Sequence, residues 1–483
     1  MRARGLNIAL KEGGKGPLFL RVAEAVIEAI LDGRIQPGML LPGVRDLAEQ
    51  MGVHYNTVLV ALREMQAQGW VEARPRSGFQ VSTPLPAEAR EGDAPRASAL
   101  VAGFDIPAGR EPITTGNHLV MDLTDGRADA RLAPADALAQ AYQRALRLKG
   151  PELLGATDSK GLLRLRETLS SLMGQQRGLS LDPEQLLILR SSSFAVNLVA
   201  QALIGNDGGH VAVENPGNPL VWEVFRNTSS GQIHALPVDG DGLVVEALED
   251  LMKTVRLNLL VLSPQCHFPT GAVLSAPRRK KVLELARQYR FAILEMDPEY
   301  DHLPTDPLPR PLASEDPTGQ VLYLGSLSRL FAPGLRISFL TVPGSLADRL
   351  AKVRQRMDWQ GDPVLEWSIA ELILDGEFLR QQRRVRKVSR ERRTALLDAI
   401  HHTLARRVEV TAEHSAMAIW IRGVEAHADP HRFNAWIQSC NLKGLKLRPG
   451  KYYDFDGRDR AATRLGFSAY LPEELQRAVA LMG

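Results

Sequence analysis

The chain has 483 residues, more than one hydrophobic core usually supports, so two or three domains are expected. Apolar residues make up 44% and charged residues 24%, values near the soluble average that exclude fibrous, membrane and largely disordered classes. Net charge is only +3, from 59 Lys+Arg against 56 Asp+Glu, so no global field drives nucleic-acid binding and any basic surface must be local.

Leu20, Ala23, Ile27, Ile30 and Leu31 repeat at the spacing of one helical face, and Asp32-Gly33 ends the pattern. Pro37-Gly38 and Leu41-Pro42 mark turns before a short second helix over 45–51, closed by Gly52. A third helix starts near Asn56, with Val58, Ala61, Leu62 and Met65 at i, i+3, i+4 and i+7 before Gly69. Residues 70–73 and 79–81 read as two strands around a turn over 74–78. Three small helices and a hairpin make the pattern of a winged helix-turn-helix.

In that motif the second helix of the pair enters the major groove and the wing touches backbone or minor groove, so position assigns the contacts. His54, Tyr55, Asn56 and Thr57 open the third helix; Asn pairs bidentately with adenine, and Thr either caps the helix or meets phosphate. Arg45 opens the second helix, where guanidinium and helix N-terminus both favour phosphate. Arg74 and Arg76 bracket the wing turn, and Gly78 supplies its backbone freedom. Without DNA, the same pattern would be an interaction module with these polar residues merely solvated.

Residues 84–119 are rich in Pro, Ala, Gly and charge and read as a linker between a domain over 1–83 and a larger one over 120–483. In the larger domain, strand-like runs at 185–189, 210–213, 257–262, 292–295 and 321–324 alternate with helix-like ones ending at Leu203 and Tyr289. Such alternation predicts an α/β domain with a mostly parallel sheet. A basic run over 380–393 falls on a helix and reads as a solvated face rather than a DNA contact. The two cysteines, Cys266 and Cys440, form no metal or disulfide spacing, and Cys266 reads as a packed small residue. No run approaches the roughly 20 apolar residues of a membrane span, and no targeting signal is read, so a soluble cytoplasmic protein with no metal and no membrane contact is expected.

Residues 33–81, GRIQPGMLLPGVRDLAEQMGVHYNTVLVALREMQAQGWVEARPRSGFQV, resemble the DNA-binding domain of the GntR family in order and spacing. The family commonly has Ser before the Arg45 position and Ser-Arg where this chain has His54-Tyr55, a loss of one phosphate-contacting arginine. From about residue 120 onward, HFPTGAVLSAPRRKKVLELARQYRFAILE, VLYLGSLSRLFAPGLRISFLTVP and RLGFSAYLPEELQRAV resemble fold-type-I pyridoxal phosphate enzymes. The chain as a whole is similar to the MocR subfamily of GntR-type regulators, which fuse a winged helix to an aminotransferase-like domain. The resemblance implies a smaller C-terminal α/β subdomain, a head-to-tail homodimer, double-stranded DNA as partner, pyridoxal phosphate as cofactor and a small anionic or amino-acid-like effector.

In the family a lysine in a Ser-x-Ser-Lys run forms an imine with the cofactor, because only a primary amine that can lose its proton does so. Here the run is Ser326-Leu327-Ser328-Arg329, and arginine's guanidinium stays protonated, so an internal aldimine at Arg329 is excluded and no catalytic residue is assigned. The resemblance keeps Ser326, Ser328 and Arg336 as phosphate-binding types, with Arg329 as an added anion clamp and Ser191 and Ser192 in the phosphate-binding turn. Other positions drift: Ala156 and Asn218 stand where the family has aromatics. In the run from Glu295 to Asp301, either Asp297 meets the pyridine nitrogen, with Tyr300 nearby, or Met296 takes that place. Arg464 matches the position that holds a substrate carboxylate, or forms a surface ion pair; His267 either lines the pocket or is satisfied in a turn. The expectation is a regulator whose large domain dimerises and senses a ligand without transaminating. The alternative is a pyridoxal phosphate-dependent aminotransferase or a cofactor-sensing regulator.

Overall fold

The computed structural model describes residues 8, 10, 16–75, 77–86, 121–204, 208–228, 231–305, 307–412 and 415–483. The chain divides into two compact units, 1–110 and 111–483. Arg76 and nearly all of the expected linker lie outside the described residues.

In the first unit, helices α1 (Leu18–Leu31), α2 (Val44–Met51) and α3 (Tyr55–Ala67) precede an antiparallel hairpin of β1 (Val71–Arg74) and β2 (Gly78–Val81). One core binds them: Val22, Val26 and Ile30 of α1 meet Leu47 of α2, Val58 and Leu62 of α3, and Val71 and Val81 of the hairpin. Gly52 ends α2 with φ +63°, a left-handed conformation that glycine adopts without Cβ strain.

The second unit begins with β3 (Met121–Asp122), α4 (Ala135–Leu153) and α5 (Leu163–Arg177). Its eight-stranded sheet then forms from β4 (Leu186–Leu189), β5 (His210–Asn215), β6 (Gln232–Asp239), β7 (Gly242–Leu243), β8 (Leu259–Leu262), β9 (Ala292–Met296), β10 (Val321–Ser326) and β11 (Ser338–Thr341), in the order β4-β11-β10-β9-β8-β5-β6-β7. The central run from β10 to β6 is parallel; β11 is antiparallel to both neighbours, and β7 is antiparallel to β6. Helices α6 (Ser192–Leu203), α7 (Pro219–Thr228), α8 (Val245–Met252) and α9 (Ala276–Tyr289) connect the strands. Strands β4 and β8, Leu-Leu-Ile-Leu and Leu-Leu-Val-Leu, are buried throughout, as a sheet covered on both faces requires.

After α10 (Gly344–Met357) and α11 (Pro363–Leu374), the 27-residue α12 (Glu377–Thr403) leads into a smaller subdomain. There β12 (Val408–Val410), β13 (Ala418–Gly423) and β15 (Ala462–Gly466) form an antiparallel sheet, packed with α13 (Pro430–Leu442) and α14 (Pro472–Met482). The short β14 (Leu445–Lys446) pairs with β3, so the segment entering the second unit belongs physically to this subdomain. The basic run on α12 is a solvated face over Arg380, Arg383, Arg384, Lys387 and Arg390, and departs from one at its inward positions. Arg392 and Arg393 are buried, with Arg392 Nη2 on Asp129 at 2.7 Å, and Arg386 Nε donates to the Asp301 carbonyl.

Candidate functional site

Two places collect the functional candidates, one in each unit. In the reader, His54 caps α3: its Nδ1 accepts from Asn56 N–H at 3.3 Å, which leaves the ring proton on Nε2. The cap is therefore His54 and not Thr57. Tyr55, 42% exposed, and Asn56 stand outward on the first turn, and Arg45 is exposed near the start of α2. Arg74 is bonded within the wing, from Nε to Gln80 Oε1 at 2.7 Å and from Nη2 to Glu72 at 3.2 Å. Gln80 also donates to the Gly38 carbonyl at 2.7 Å, tying the wing to the turn before α2, and Gly78 turns the hairpin at φ +98°.

In the large unit a cavity of about 70 Å³ lies beyond the carboxyl ends of β5, β8 and β9, against β13 and β15 of the small subdomain. That is where open parallel sheets bind ligands. Its apolar wall is Val213, Val221, Trp222, Val261 and Met296. A neighbouring cavity of about 200 Å³ shares Asn218, Phe268, Met296 and Arg329 with it and adds Ser192, Ser193 and Tyr452.

Four charged side chains form a chain across the polar end. Asp125 Oδ1 meets Arg464 Nη1 at 2.7 Å; Arg464 Nη2 meets Glu299 Oε1 at 3.4 Å; Glu299 Oε1 meets Arg329 Nη1 at 3.4 Å. Arg329 Nη1 also donates to the Gly126 carbonyl at 2.8 Å and lies 3.6 Å from Met417 Sδ. The Arg464 guanidinium stacks on Phe268, 4.1 Å from the ring centroid. Burial raises the Glu299 carboxyl, but Arg464 and Arg329 outweigh it and hold the group below its ordinary value.

Beside this chain sits a neutral pair. Burial pushes Glu214 up to about 8, against the Ser263 N–H that donates to its Oε2 at 2.9 Å. Burial also pushes His267 down to about 3. His267 Nε2 lies 3.7 Å from Glu214 Oε2, too far for a hydrogen bond, and stays unpartnered, while Nδ1 contacts Thr270 Oγ1 at 2.7 Å.

The family model for aminotransferase class I and II matches residues 120–481, and that for bacterial regulatory proteins of the gntR family matches residues 18–81. The chain belongs to the aminotransferase class I and II family. It also carries a GntR-type helix-turn-helix domain. It is 27% identical to the uncharacterized HTH-type transcriptional regulator YisV of Bacillus subtilis, over 94% of this chain and 92% of that one. It is 24% identical to the probable rhizopine catabolism regulatory protein MocR of Rhizobium meliloti, over 96% and 92%. The 2-aminoadipate transaminase of Thermus thermophilus is 26% identical over 75% of this chain and 89% of its own. Among solved structures, the α-aminoadipate aminotransferase LysN of Thermus thermophilus superposes with a TM-score of 0.68 at 24% identity, covering 75% of this chain and 90% of that one.

Within this aminotransferase-family scaffold the expected cofactor residues divide: Asp297 and Arg329 line the first cavity and Ser192 and Arg329 the adjoining one, whereas Tyr300, Ser326, Ser328, Arg336 and Ser191 line neither. Asp297 is held by Arg177, which is fully buried, and accepts from Tyr323 Oη at 3.0 Å. Arg177 stays protonated because Tyr323, Asp297 and Tyr300 outweigh the burial that opposes its charge. Asp297 lines the first cavity, and Met296, the alternative for its place, lines both. Tyr300 is fully buried under Arg177, 5.0 Å from ring centroid to guanidinium, and lines neither cavity. Ser328 Oγ donates to the Ile337 carbonyl and accepts from the Ile337 N–H at 2.6 Å; Ser326 is buried opposite Ser338 in the sheet. Arg336 is exposed beside a different cavity, with Arg190, Asp362 and Glu366. Ser191 caps α6 by accepting from Phe194 N–H at 3.1 Å. Arg464 is 3% exposed, so the surface ion pair is overturned in favour of a buried one. Cys266 lines the cavity, and burial pushes its thiol up to about 12.

Sequence reasoning missed Asp125, Glu214, Glu299 and Arg177. Their residue types read as surface, and only tertiary contact reveals their partners.

Proposed function

We propose that this chain is a DNA-binding transcription regulator whose aminotransferase-like domain serves as a dimerising and ligand-sensing unit without transaminase chemistry. The observation that carries the reading is Arg329: the position expected to hold a lysine has a permanently protonated side chain, bonded to Gly126 and paired with Glu299. Pyridoxal phosphate does not fit the residues present. No amine stands at 329, Arg177 and Tyr323 engage Asp297, the Ser328 hydroxyl is spent on Ile337, and Arg336 lies beside another cavity. These placements argue against the aminotransferase and cofactor-sensing alternatives together.

DNA binding is supported by the GntR-type domain and by the outward display of Asn56, Tyr55 and Arg45. Arg74 and Gly78 are assigned to the DNA contact by their place in the wing, and Arg76 is assigned there from sequence. No described helix is long and apolar enough to cross a membrane, which fits a protein that works on DNA in the cytoplasm. The test is fluorescence anisotropy with duplexes from the chain's own promoter and from unrelated sequence at physiological salt. The reading expects tighter binding to the promoter duplex by a factor of about 10³ or more. Equal binding to both overturns it.

A further inference from the structure

We propose that Glu299 is an internal ligand: its carboxylate fills the place between Arg329 and Arg464 that an external carboxylate would take, and latches the small subdomain to the large one. The two arginines come from different subdomains and meet the same Glu299 oxygen. Arg464 lies on β15 in the small subdomain, whereas Glu299 and Arg329 follow β9 and β10 of the large sheet. Asp125 follows β3, and the carbonyl of Leu123, the residue just after that strand, accepts from Gly466 N–H, so the Asp125–Arg464 pair lies within the small subdomain. The Glu299–Arg464 pair joins the large subdomain to the small one. So does the bond from Arg329 to the Gly126 carbonyl, which places these two polar crossing contacts on the Arg329–Glu299 couple, beside the stacking of Arg464 on Phe268.

Charge balance favours the same assignment. Arg329 and Arg464 face Glu299 and Asp125, two cations against two carboxylates, while Asp297 of the same cavity is paired with Arg177 and burial favours the neutral forms of Glu214 and His267. An added monoanion would enter a self-neutralised site and have to displace Glu299. A buried arginine deprived of its partner is costly, so a chain that never receives an external carboxylate gains by carrying one. Packing also fixes the second acceptor of Arg329. A Cβ on Gly126 would lie 2.4 Å from Met417 Cβ, so the Arg329 acceptor is a backbone carbonyl that a side chain there would push away. An effector sensed by this domain is therefore recognised by something other than a carboxylate on Arg464.

Chemical rescue tests the assignment on the full chain, read by melting temperature, and is independent of DNA binding. Glu299→Ala opens a site with Arg464 Nε, which has no partner now, Arg464 Nη2 and Arg329 Nη1 as donors. The variant is expected to melt about 5 °C or more below the native chain. Millimolar acetate should recover a large part of that loss, compared with chloride at equal ionic strength, and should leave the native chain unmoved. Glu299→Gln, which keeps the volume, should be destabilised without rescue, because its amide occupies the site. Should the alanine variant fail to accumulate, Glu299→Gln combined with Arg464→Gln decides. Partners in one contact give a double variant less destabilised than the sum of the singles, and additivity overturns the latch. An alanine variant as stable as the native chain, or acetate stabilising both alike, also overturns it.

Discussion

Arg329 Nη1 donates to the Gly126 carbonyl at 2.8 Å and faces Glu299 Oε1 at 3.4 Å, so the residue proposed to stand in the family's lysine position has both acceptors supplied by the chain. Returning a lysine there restores an amine but none of its surroundings. Arg329→Lys is therefore expected to show no amino-acid-dependent transamination after incubation with pyridoxal phosphate, and no visible absorbance that borohydride fixes to the chain. Turnover in that single variant would refute the account of a divided site.

The buried pair of Arg177 and Asp297 should be among the most expensive side chains to remove singly. Arg177→Met leaves the carboxylate without its cation and should cost about 3–5 kcal/mol. Asp297→Asn leaves Arg177 with Tyr300 at its face and Tyr323 beside it, and should also destabilise. The double variant should lose less than the two singles summed, measured as the shift in urea midpoint of the large-domain transition. Strict additivity would mean that the two side chains contribute separately.

Legibility followed the range of the interactions. The reader's three helices and wing were readable because each is a local pattern: Val58, Ala61, Leu62 and Met65 face one core, and Gly52, Gly69 and Gly78 all take positive φ where the pattern breaks. The central parallel strands were readable as apolar runs. Strand β6 was not, because Gln232, His234 and Asp239 interrupt it at a half-exposed position near the sheet edge. Four-residue β11, hidden behind the turn after Ser328, supplies the antiparallel exception. At the site, Arg329 was legible as a chemical exclusion from one letter. Its consequence was not, since Gly126 lies 203 positions away and Arg464 meets Asp125 across 339. Arg177 drew no notice in the sequence, because its partner is 120 residues on.

Glu214 makes stability depend on pH with a definite sign. Burial raises its folded value to about 8, above the ordinary 4.5, so the folded chain keeps a proton that the unfolded chain releases. No penalty exists below the unfolded value; it grows as pH rises from about 4.5 to about 8 and is constant beyond. Glu214→Gln should therefore stabilise the large domain more at pH 8 than at pH 5, relative to the native chain, by thermal melts at matched ionic strength. His267 acts at the acid side: its folded value of about 3 lies below the ordinary 6.5, so stability falls as pH drops between them. An equal effect of Glu214→Gln at both pH values would show that the carboxyl is ionised in the fold.

On the reader, two substitutions should separate base reading from backbone anchoring. Asn56 is exposed at the start of α3, where its amide can pair with adenine N6 and N7. Val60, 45% exposed one turn further along the same face, offers a methyl surface suited to a thymine methyl. Asn56→Ala should cost about 1–3 kcal/mol on the operator and relax preference at one base pair, leaving unrelated DNA almost unaffected. Arg45→Ala should weaken binding to operator and unrelated duplexes alike and lower the slope of log affinity against log salt by about 1, because it removes a single phosphate contact. Anisotropy titrations at several salt concentrations measure both effects. If Asn56→Ala lowered all affinities equally while Arg45→Ala altered base preference, the assignment of α3 as the base-reading helix would be reversed.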